Sequence, residues 1–462
     1  MRLGVLALAR PTFDVPYAEE LAAKAFAQLD HSGITTVGPR TLLFDADSAR
    51  LAAAALATEK LDGLLLLQVT FTDASMTLEL ARGIAAPLAL WAFPEPRTGG
   101  RLRLNAFCGL NLAAHALGRA GISYRYLYQS PEPAVKMMPV ALWHSNKAVA
   151  ASSKITPSAH DYSAADAVLE ALKNRRIGLI GEHPAGFETC RFDGAALNTL
   201  TGIKVEPIAL STLFERSSSV TNEATLERRK EVETLKGIDG VDQAQLNRSL
   251  TLFEGLKSLK TEKDLSAFAV RCWPEMFTEY GCAICGPMGM MNSASVPAAC
   301  EADVYGAVTA LMLQEIAGKP SWLVDVVDMD KTDGTAVFWH CGSAPSSMRD
   351  PDYAAEAQIH SNRKMPLLYQ FPLKPGRITI ARLSQANNNP HLLVTSGEVV
   401  QAPLSFTGTS AVVRLDTPVG EAMQGLIGGG YEHHVAMVYG DHVSAMTALG
   451  EKLGIPVCGL AD

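Results

Sequence analysis

Short apolar runs alternate with amphipathic helical patterns along the first third of the chain. The run "RLGVLALA" precedes "YAEELAAKAFAQL", and "DGLLLLQV" precedes "ASMTLELARGI". Strands that alternate with helices are typical of βαβ units built around a parallel sheet. A second series of this kind begins at "RRIGLIGEHPAGF". We therefore predict two doubly wound α/β domains, at residues 1–160 and 161–345, joined by a Ser-, Ala- and Lys-rich connection at residues 145–162.

The pattern becomes mostly β after residue 345. The segment "GRITIARLSQANNNPHLLVTSGEVV" predicts two strands that turn at residues 387–390, and "SAVVRLDTP" predicts a further strand. A helix, "DHVSAMTALGEKLG", follows near the C-terminus. These elements predict a β-rich, barrel-like domain at residues 346–462. Between residues 215 and 264 the chain is polar and helical, which predicts solvated helices.

Composition narrows the class of protein. The 462 residues are 48% hydrophobic and 19% charged, which is typical of a globular protein of several domains. A net charge of −8 without a basic stripe argues against a nucleic-acid partner. The longest apolar run, "LLLLQV", is too short to span a membrane, and no cleavage site follows the N-terminus. We therefore expect a cytoplasmic protein without a membrane partner.

Cysteine usage gives little further information. Eight cysteines in a chain of this length do not form a disulfide framework. Cys282 and Cys285 make a lone C-x-x-C without a second pair or a nearby histidine pattern. The sequence therefore does not define a role for these two thiols.

Two carboxylates stand where burial is expected. In "VPAACEADVYGAVTALM", Asp303 is expected to serve as the cap of the helix that follows it. Glu301 has no such role, although it lies between Cys300 and Ala302 in an apolar segment. Asp325 interrupts the apolar strand "SWLVDVVDMD". A buried carboxylate costs several kcal/mol unless it is paired or bound to a metal, so Glu301 and Asp325 are candidate site residues.

Histidines complete the candidate set. His340 ends the strand after Asp325, and "LIGGGYEHHVAMVYGD" places His433 and His434 before another strand. Neighbouring strand residues point to opposite faces, so we expect only one of this pair to enter a given site. Two carboxylates and an imidazole suit Mn²⁺ or Mg²⁺ better than structural zinc. The residues alone predict metal-assisted acid–base chemistry on a small polyol.

The same segments resemble a known family. "RCWPEM", "ACEADVYGAVTALM", "DVVDMD", "TAVFWHCGSAP" and "GGGYEHHVAMVYGD" are similar to segments of the L-fucose isomerase and L-arabinose isomerase family of ketol isomerases. The likeness is strongest over residues 268–345 and 425–442, and near the N-terminus it rests on "LQVTFTDASM". It implies two α/β domains with a β-rich C-terminal domain. It also implies Mn²⁺, with Mg²⁺ or Co²⁺ as substitutes, and conversion of an aldose into a ketose through a cis-enediol.

Site residues follow from the resemblance position by position. It implies that Glu301 and Asp325 bind the metal and serve as acid and base, and that His434, or its neighbour His433, is the third ligand. The side chains expected to contact the sugar are those of His340, Gln68, Trp273 and His433. Ala302 replaces the usual Gly, and Gln68 and Asp73 differ from the relatives, so the substrate is expected to be a monosaccharide or a modified sugar, deoxy or acidic. Because family sites lie near subunit contacts, we expect a homo-oligomer.

Two other functions remain open on the sequence. A sugar-binding protein without catalysis can also be built from two α/β domains. A metal-dependent epimerase or lyase could use the same residues. Deuterium incorporation at C2 and product analysis separate these possibilities from an isomerase.

Overall fold

A computed structural model describes residues 1–132 and 161–460. The predicted connection at 145–162 lies outside the described residues except for its last two positions, and so does the predicted domain boundary at residue 160. Among the described helices, none has the length and apolar character needed to cross a membrane.

The described strands are β1 (Arg2–Leu8), β2 (Thr35–Val37), β3 (Leu42–Leu43), β4 (Gly63–Gln68), β5 (Leu88–Ala92), β6 (Tyr124–Tyr128), β7 (Arg176–Ile180), β8 (Lys204–Ile208), β9 (Ala267–Val270), β10 (Ala298–Ala299), β11 (Trp322–Asp330), β12 (Thr335–His340), β13 (Glu356–Gln358), β14 (Leu368–Pro372), β15 (Gly376–Ser384), β16 (His391–Val399), β17 (Thr409–Leu415), β18 (His434–Tyr439) and β19 (Val457–Cys458). The described α-helices are α1 (Val15–His31), α2 (Ala46–Leu56), α3 (Ser75–Gly83), α4 (Ala106–Arg119), α5 (Tyr162–Leu172), α6 (Gly194–Thr201), α7 (Leu210–Ser218), α8 (Asn222–Val232), α9 (Gln243–Lys263), α10 (Cys285–Ser293), α11 (Val304–Ala317), α12 (Val419–Met423) and α13 (Val443–Lys452).

The first sheet is parallel and carries the N-terminal βαβ pattern. Its strands run in the order β2-β1-β4-β5-β6, and β3 also pairs with β1. Every residue of β4 and β5 is buried, which explains their unbroken apolar sequences, because parallel strands are covered on both faces. The predicted parallel α/β unit is confirmed here.

A second parallel sheet follows in the order β10-β9-β7-β8. It is short, and α11 packs against its strand β9. The polar helices predicted between residues 215 and 264 are α8 and α9, and the exposed face of each carries its charged residues.

The third sheet closes on itself. Its order is β13-β14-β17-β12-β11-β18-β15-β16-β19, and β16 also pairs with β17. Strands β17, β12, β11, β18, β15 and β16 therefore form a closed, antiparallel six-stranded barrel. The predicted β-rich C-terminal part is confirmed, as is the hairpin of β15 and β16.

Strand pairing does not follow the predicted boundary at residue 345. The predicted boundary puts β11 and β12 in the central α/β domain, but both strands belong to the barrel because β11 pairs with β18 and β12 pairs with β17. An apolar strand followed by another looks the same in either domain, since long-range pairing leaves no local signal. The division into three domains stays a prediction.

Candidate active site

One cavity lies where both parallel sheets meet the barrel. Glu301, Asp325 and His340 line it from the central segment and the barrel, and Trp273 lines it from the segment after β9. Ligands of α/β proteins bind beyond the carboxyl ends of parallel strands, and the cavity obeys that rule. Phe71 closes it from the segment after β4.

Barrel register places an acid beside an imidazole. Asp325 of β11 lies directly opposite His434 of β18 in the antiparallel pair. Directly opposed residues project from the same face, so their side chains meet. Nε2 of His434 lies 3.1 Å from Oδ1 of Asp325. Both atoms are buried, and neither makes a well-aligned hydrogen bond to any described residue.

The carboxylate of Asp325 is held ionised. Burial alone would raise its pKa, but interactions with the neighbouring imidazoles of His340 and His434 outweigh burial and lower the pKa of Asp325 to about 2. For His434, burial is outweighed by the carboxylates of Asp303 and Asp325, which raise its pKa well above the usual range. The pair therefore carries strong mutual attraction in a water-poor environment.

Glu301 is presented by an unusual backbone. It lies in the 3₁₀ turn Cys300–Ala302, with φ at 58°, and Ala302 follows with φ at 56°. Left-handed conformations are unfavourable for residues with a Cβ, which explains why relatives are expected to carry Gly at the position of Ala302. The turn directs the Glu301 carboxylate into the cavity, where its Oε1 accepts a hydrogen bond from Nε1 of Trp273 at 3.3 Å.

Both adjacent histidines face this site, so the expectation that only one could enter it is wrong. His433 lies just before β18 rather than within it, and strand alternation does not apply there. Its Nε2 lies 3.2 Å from Oε2 of Glu301, and its ring stacks on that of His434 with centroids 4.0 Å apart. His434 Nε2 lies 3.7 Å from the same Glu301 oxygen.

Asp303 does more than cap a helix, which corrects the sequence-based interpretation. It does cap α11, because its Oδ1 accepts from the Gly306 N–H at 2.8 Å. A Cβ on Gly306 would approach Asp303 Oδ2 to 2.6 Å, so this close approach requires Gly. The same Oδ2 lies 3.0 Å from Nδ1 of His434.

A fully buried arginine neutralises Asp303. Arg382 of β15 donates from Nη1 to Asp303 Oδ2 at 2.5 Å and from Nη2 to Oδ1 at 3.1 Å. Glu432 lies 3.9 Å from Nε of the same Arg382 and accepts from Ser384 at 2.7 Å. Burial opposes ionisation of Asp303, but Arg382 and His434 hold its pKa well below the usual range. The sequence did not suggest this network, since an arginine in a strand usually faces solvent.

His340 and Trp273 lie where the resemblance expects sugar contacts. Nδ1 of His340 accepts from the Cys341 N–H at 2.9 Å, while its buried Nε2 has no hydrogen bond. Burial lowers the pKa of His340, so its ring is neutral with the proton on Nε2. Both side chains line the cavity, and their contact with a sugar stays a prediction.

Gln68 is not part of the cavity lining. It is fully buried at the end of β4, and its Nε2 donates to the Thr70 carbonyl at 2.8 Å and to Thr72 Oγ1 at 2.9 Å. It supports the segment that carries Phe71. Its predicted contact with the sugar therefore has no support in the geometry, because the side chain bonds back to its own chain.

Among the lining residues that the sequence analysis missed are three basic side chains, those of Arg10, His360 and Arg363. Arg10 directly follows the carboxyl end of β1, and that position in a parallel sheet is a signal that could have found it. His360 and Arg363 lie in the segment between β13 and β14, where the sequence shows no periodicity to interpret.

The donor set fits a divalent cation. One nitrogen or oxygen each of Asp325, His340 and His434 lies within 4.8 Å of the others, and a second set joins Cys190, Glu301 and His434. Metal-bound histidines usually direct their other ring nitrogen to a carboxylate, as His434 does to Asp303. Burial raises the pKa of Cys190 to about 12, so this thiol adds no charge to the set. The remaining candidate ligands for the cation are the carboxylates and the imidazoles.

Comparison with known proteins identifies two family domains in the chain. Residues 4–138 match the model of the fucose/sulfoquinovose isomerase N-terminal domain, and residues 339–461 match the L-fucose isomerase C-terminal domain. A sulfoquinovose isomerase from Alkalicoccus urumqiensis is 31% identical over 402 residues, which cover 86% of this chain and 85% of that protein. Another from Priestia aryabhattai is 27% identical and covers 97% of this chain and 96% of that protein.

Among solved structures, a glucose-galactose binding protein from Geobacillus stearothermophilus covers 69% of this chain and 92% of its own, at 14% identity and a TM-score of 0.21. A similarity at that level carries no argument about function. The two domain models and the similarity to the Alkalicoccus protein over most of both chains identify the group instead. The chain belongs to the fucose isomerase family and is an aldose–ketose isomerase.

Proposed function

We propose that the protein is a metal-dependent isomerase that interconverts an aldose and a ketose through a cis-enediol. The observation that carries the metal is the pair of buried, unbonded atoms His434 Nε2 and Asp325 Oδ1, 3.1 Å apart, with Asp303 holding the other imidazole nitrogen. Glu301, Asp325 and His434 would hold Mn²⁺, which such ligands favour, with Mg²⁺ or Co²⁺ as substitutes. When bound, the ion supplies polarisation of the sugar carbonyl and charge stabilisation.

Glu301 is the residue we assign to proton transfer between carbons. Its carboxylate takes the proton from C2 of the aldose as the C1–C2 double bond of the enediol forms and O1 gains a proton. The same carboxylate returns the proton to C1 while O2 loses its own, which yields the ketose. Trp273 Nε1 and His433 Nε2 hold the two Glu301 oxygens at 3.3 and 3.2 Å and so fix its position.

Asp325 and the two histidines take separate roles in this proposal. His434 is the metal ligand, because Asp303 orients it as carboxylates orient metal-bound imidazoles. His433 positions Glu301 instead, since its Nε2 points at that carboxylate. Asp325, opposite His434 in the barrel, shares the ion and exchanges protons with the sugar oxygens.

Relatives indicate the substrate class. Proteins that share 27–31% identity with nearly the whole chain are named sulfoquinovose isomerases. We propose sulfoquinovose, a hexose with a sulfonate in place of the 6-hydroxyl, as the substrate. This agrees with the acidic sugar that the sequence analysis allowed. The homo-oligomeric state and the cytoplasmic location remain predictions.

Isomerisation in D₂O tests the function. Metal-free protein is given a panel of sugars with and without Mn²⁺, and deuterium at C1 and C2 is measured by NMR. We expect chelator-treated protein to be inactive and Mn²⁺ to restore it best. Full activity without metal would end the metal assignment. Tight sugar binding without deuterium would favour a binding protein, and a C2 epimer or a cleaved product would favour the epimerase or lyase.

A further inference from the structure

Two arginines of the cavity lining, Arg10 and Arg363, share one aromatic ring, and the part of the cavity that they line is called here the cationic end. The guanidinium carbon of Arg10 lies 5.1 Å from the centroid of Trp273, and that of Arg363 lies 5.6 Å from the same ring. Arg363 also lies 5.8 Å from the ring of Phe277. Arginine on an aromatic face is a partly desolvated cation with its N–H groups free to bind.

Among the residues that the structure describes, an acidic partner is present for only one of these two charges. Arg10 donates to Asp73 Oδ2 at 2.8 Å. Arg363 makes no ion pair within residues 1–132 and 161–460. Burial, and then the positive charge of Arg10, hold the pKa of Arg363 below its usual range. Two neighbouring cations with one counter-charge between them leave a net positive site that an anion would stabilise.

The loop that carries Arg363 is built before any ligand arrives. Nδ1 of His360 accepts from the backbone N–H of Asn362 at 3.2 Å and of Arg363 at 3.3 Å. Burial lowers the pKa of His360 to about 3, so its ring stays neutral and can accept. Asn362 is fixed in turn because its Oδ1 accepts from Arg101 Nε at 2.9 Å. A preformed loop loses little conformational entropy on binding.

Trp273 lies between the cationic end and the part of the site that contains Glu301, Asp325 and His434, called here the reacting end. Its Nε1 reaches the Glu301 carboxylate at 3.3 Å, while its ring lies beneath Arg10 and Arg363. A hexose whose C1 and C2 lie at Glu301 therefore extends its C6 end along the indole toward the two guanidinium groups. This step rests on the proposed function, which places C1 and C2 at Glu301.

We propose that Arg363, supported by Arg10, binds the anionic substituent at C6 of the sugar and so selects a sulfonated sugar over a neutral one. The planar guanidinium fork of Arg363 pairs with two oxygens of a sulfonate. Arg10 adds positive charge but remains tied to Asp73. Arg363 is thus the specificity-determining residue, and it takes no part in proton transfer.

Substrate selectivity of an arginine variant tests this assignment. The pair to compare is sulfoquinovose and quinovose, which differ only in the sulfonate. We expect Arg363→Met to lower kcat/KM for sulfoquinovose by ~10- to 10²-fold, the scale of a charge-assisted hydrogen bond, and to change that for quinovose by less than ~3-fold. Arg363→Lys keeps the charge without the fork and should fall between. An equal loss on both sugars, or no loss on either, would overturn the proposal.

Lys364 provides a matched control. It is the next residue, it is exposed, and it is absent from the cavity lining. Lys364→Met removes the same unit of charge and should leave both sugars unaffected. If Arg363→Met does not fold, salt dependence of the wild-type protein decides: KM for sulfoquinovose should rise with NaCl while KM for quinovose should not. Equal salt dependence would count against the proposal.

Binding of a sugar that cannot react separates this inference from the proposed function. 6-Deoxy-6-sulfoglucitol has no carbonyl group, and its affinity for Mn²⁺-loaded protein can be measured by calorimetry. Arg363-dependent binding of this alcohol would support the subsite even if no sugar gained deuterium, in which case the isomerase proposal alone would fail. Metal-dependent isomerisation of neutral sugars without binding of the alcohol would reject the subsite alone.

Discussion

The two ends of the cavity are built in different ways. At the reacting end, Asp325 and His434 lie on paired barrel strands, and every group that holds them is buried. At the cationic end, Arg10 and Arg363 lie on segments between elements and are only partly buried. The proposed metal and proton-transfer site requires fixed geometry, which paired strands supply for Asp325 and His434 and which Trp273 and His433 supply for Glu301. Recognition of a substituent tolerates loops, which can differ between related enzymes without disturbing the chemistry.

The two ends also differ in whether their charges are paired within the protein. The network behind His434 at the reacting end pairs its charges within the protein, through Asp303, Arg382 and Glu432. At the cationic end, Arg363 is left without an ion pair in the described chain. A network of paired charges holds the side chains of a site in place. An unpaired charge favours binding of a ligand of opposite charge. Variants at the two ends should therefore fail in distinguishable ways.

Glu301→Gln should have the largest effect. The amide keeps the size of the side chain but cannot accept a proton or contribute negative charge to a metal. We expect kcat to fall by at least ~10²-fold, the scale of lost general acid–base catalysis, and to fall equally for sulfoquinovose and quinovose. Steady-state rates on both sugars check this. A loss of activity confined to sulfoquinovose would show that Glu301 acts in recognition of the sulfonate and not in proton transfer.

Asp303→Asn should have an intermediate effect, and the loss should be in metal affinity and stability. Asparagine is a good N-cap, so capping of α11 should survive. The change removes the charge that pairs with buried Arg382 and orients His434. We expect Mn²⁺ affinity to fall by ~10- to 10²-fold and the free energy of unfolding to fall by ~3 kcal/mol or more. Calorimetric titration with Mn²⁺ and urea unfolding measure the two losses.

Asp242→Asn is the matched control for that variant. Asp242 caps α9 through the Gln245 N–H at 2.8 Å, but it is exposed and makes no ion pair in the described part of the chain. It should lose less than ~1 kcal/mol and no metal affinity. Equal losses in the two variants would show that Asp303 contributes no more to stability and metal binding than an ordinary helix cap.

Sequence patterns predicted what depends on local chemistry. Apolar runs that alternate with helices identified the parallel sheets, and an acid within an apolar strand identified Asp325. The position of β11 could not be predicted, because its partner β18 lies about a hundred residues later in the chain and pairing of such range has no local signature.

The reacting end was more predictable than the cationic end for a physical reason. A carboxylate in an apolar segment is conspicuous because burying it is costly. An arginine in a loop, such as Arg363, looks like any solvated residue until the ring beneath it is known. Arg382 was missed in the same way, since its burial is explained only by the acids that fold around it.

Gln68→Leu should have the smallest effect, and it tests whether the cationic end extends as far as β4. Gln68 bonds to Thr70 and Thr72, and Thr70 Oγ1 accepts from the Arg10 backbone N–H at 2.8 Å. Leucine has a similar size but leaves the Thr70 carbonyl and the Thr72 hydroxyl without that donor. We expect the free energy of unfolding to fall by ~1–3 kcal/mol, the usual result of an unsatisfied buried polar group. The ratio of kcat/KM for sulfoquinovose to that for quinovose should change by less than ~3-fold, because no atom of Gln68 lines the cavity. Urea unfolding and kinetics on both sugars decide the matter. Unchanged stability together with a selectivity ratio that shifts by ~10-fold would contradict this expectation. It would show that Gln68 contacts the sugar, as the sequence resemblance implies, and that the cationic end extends to β4.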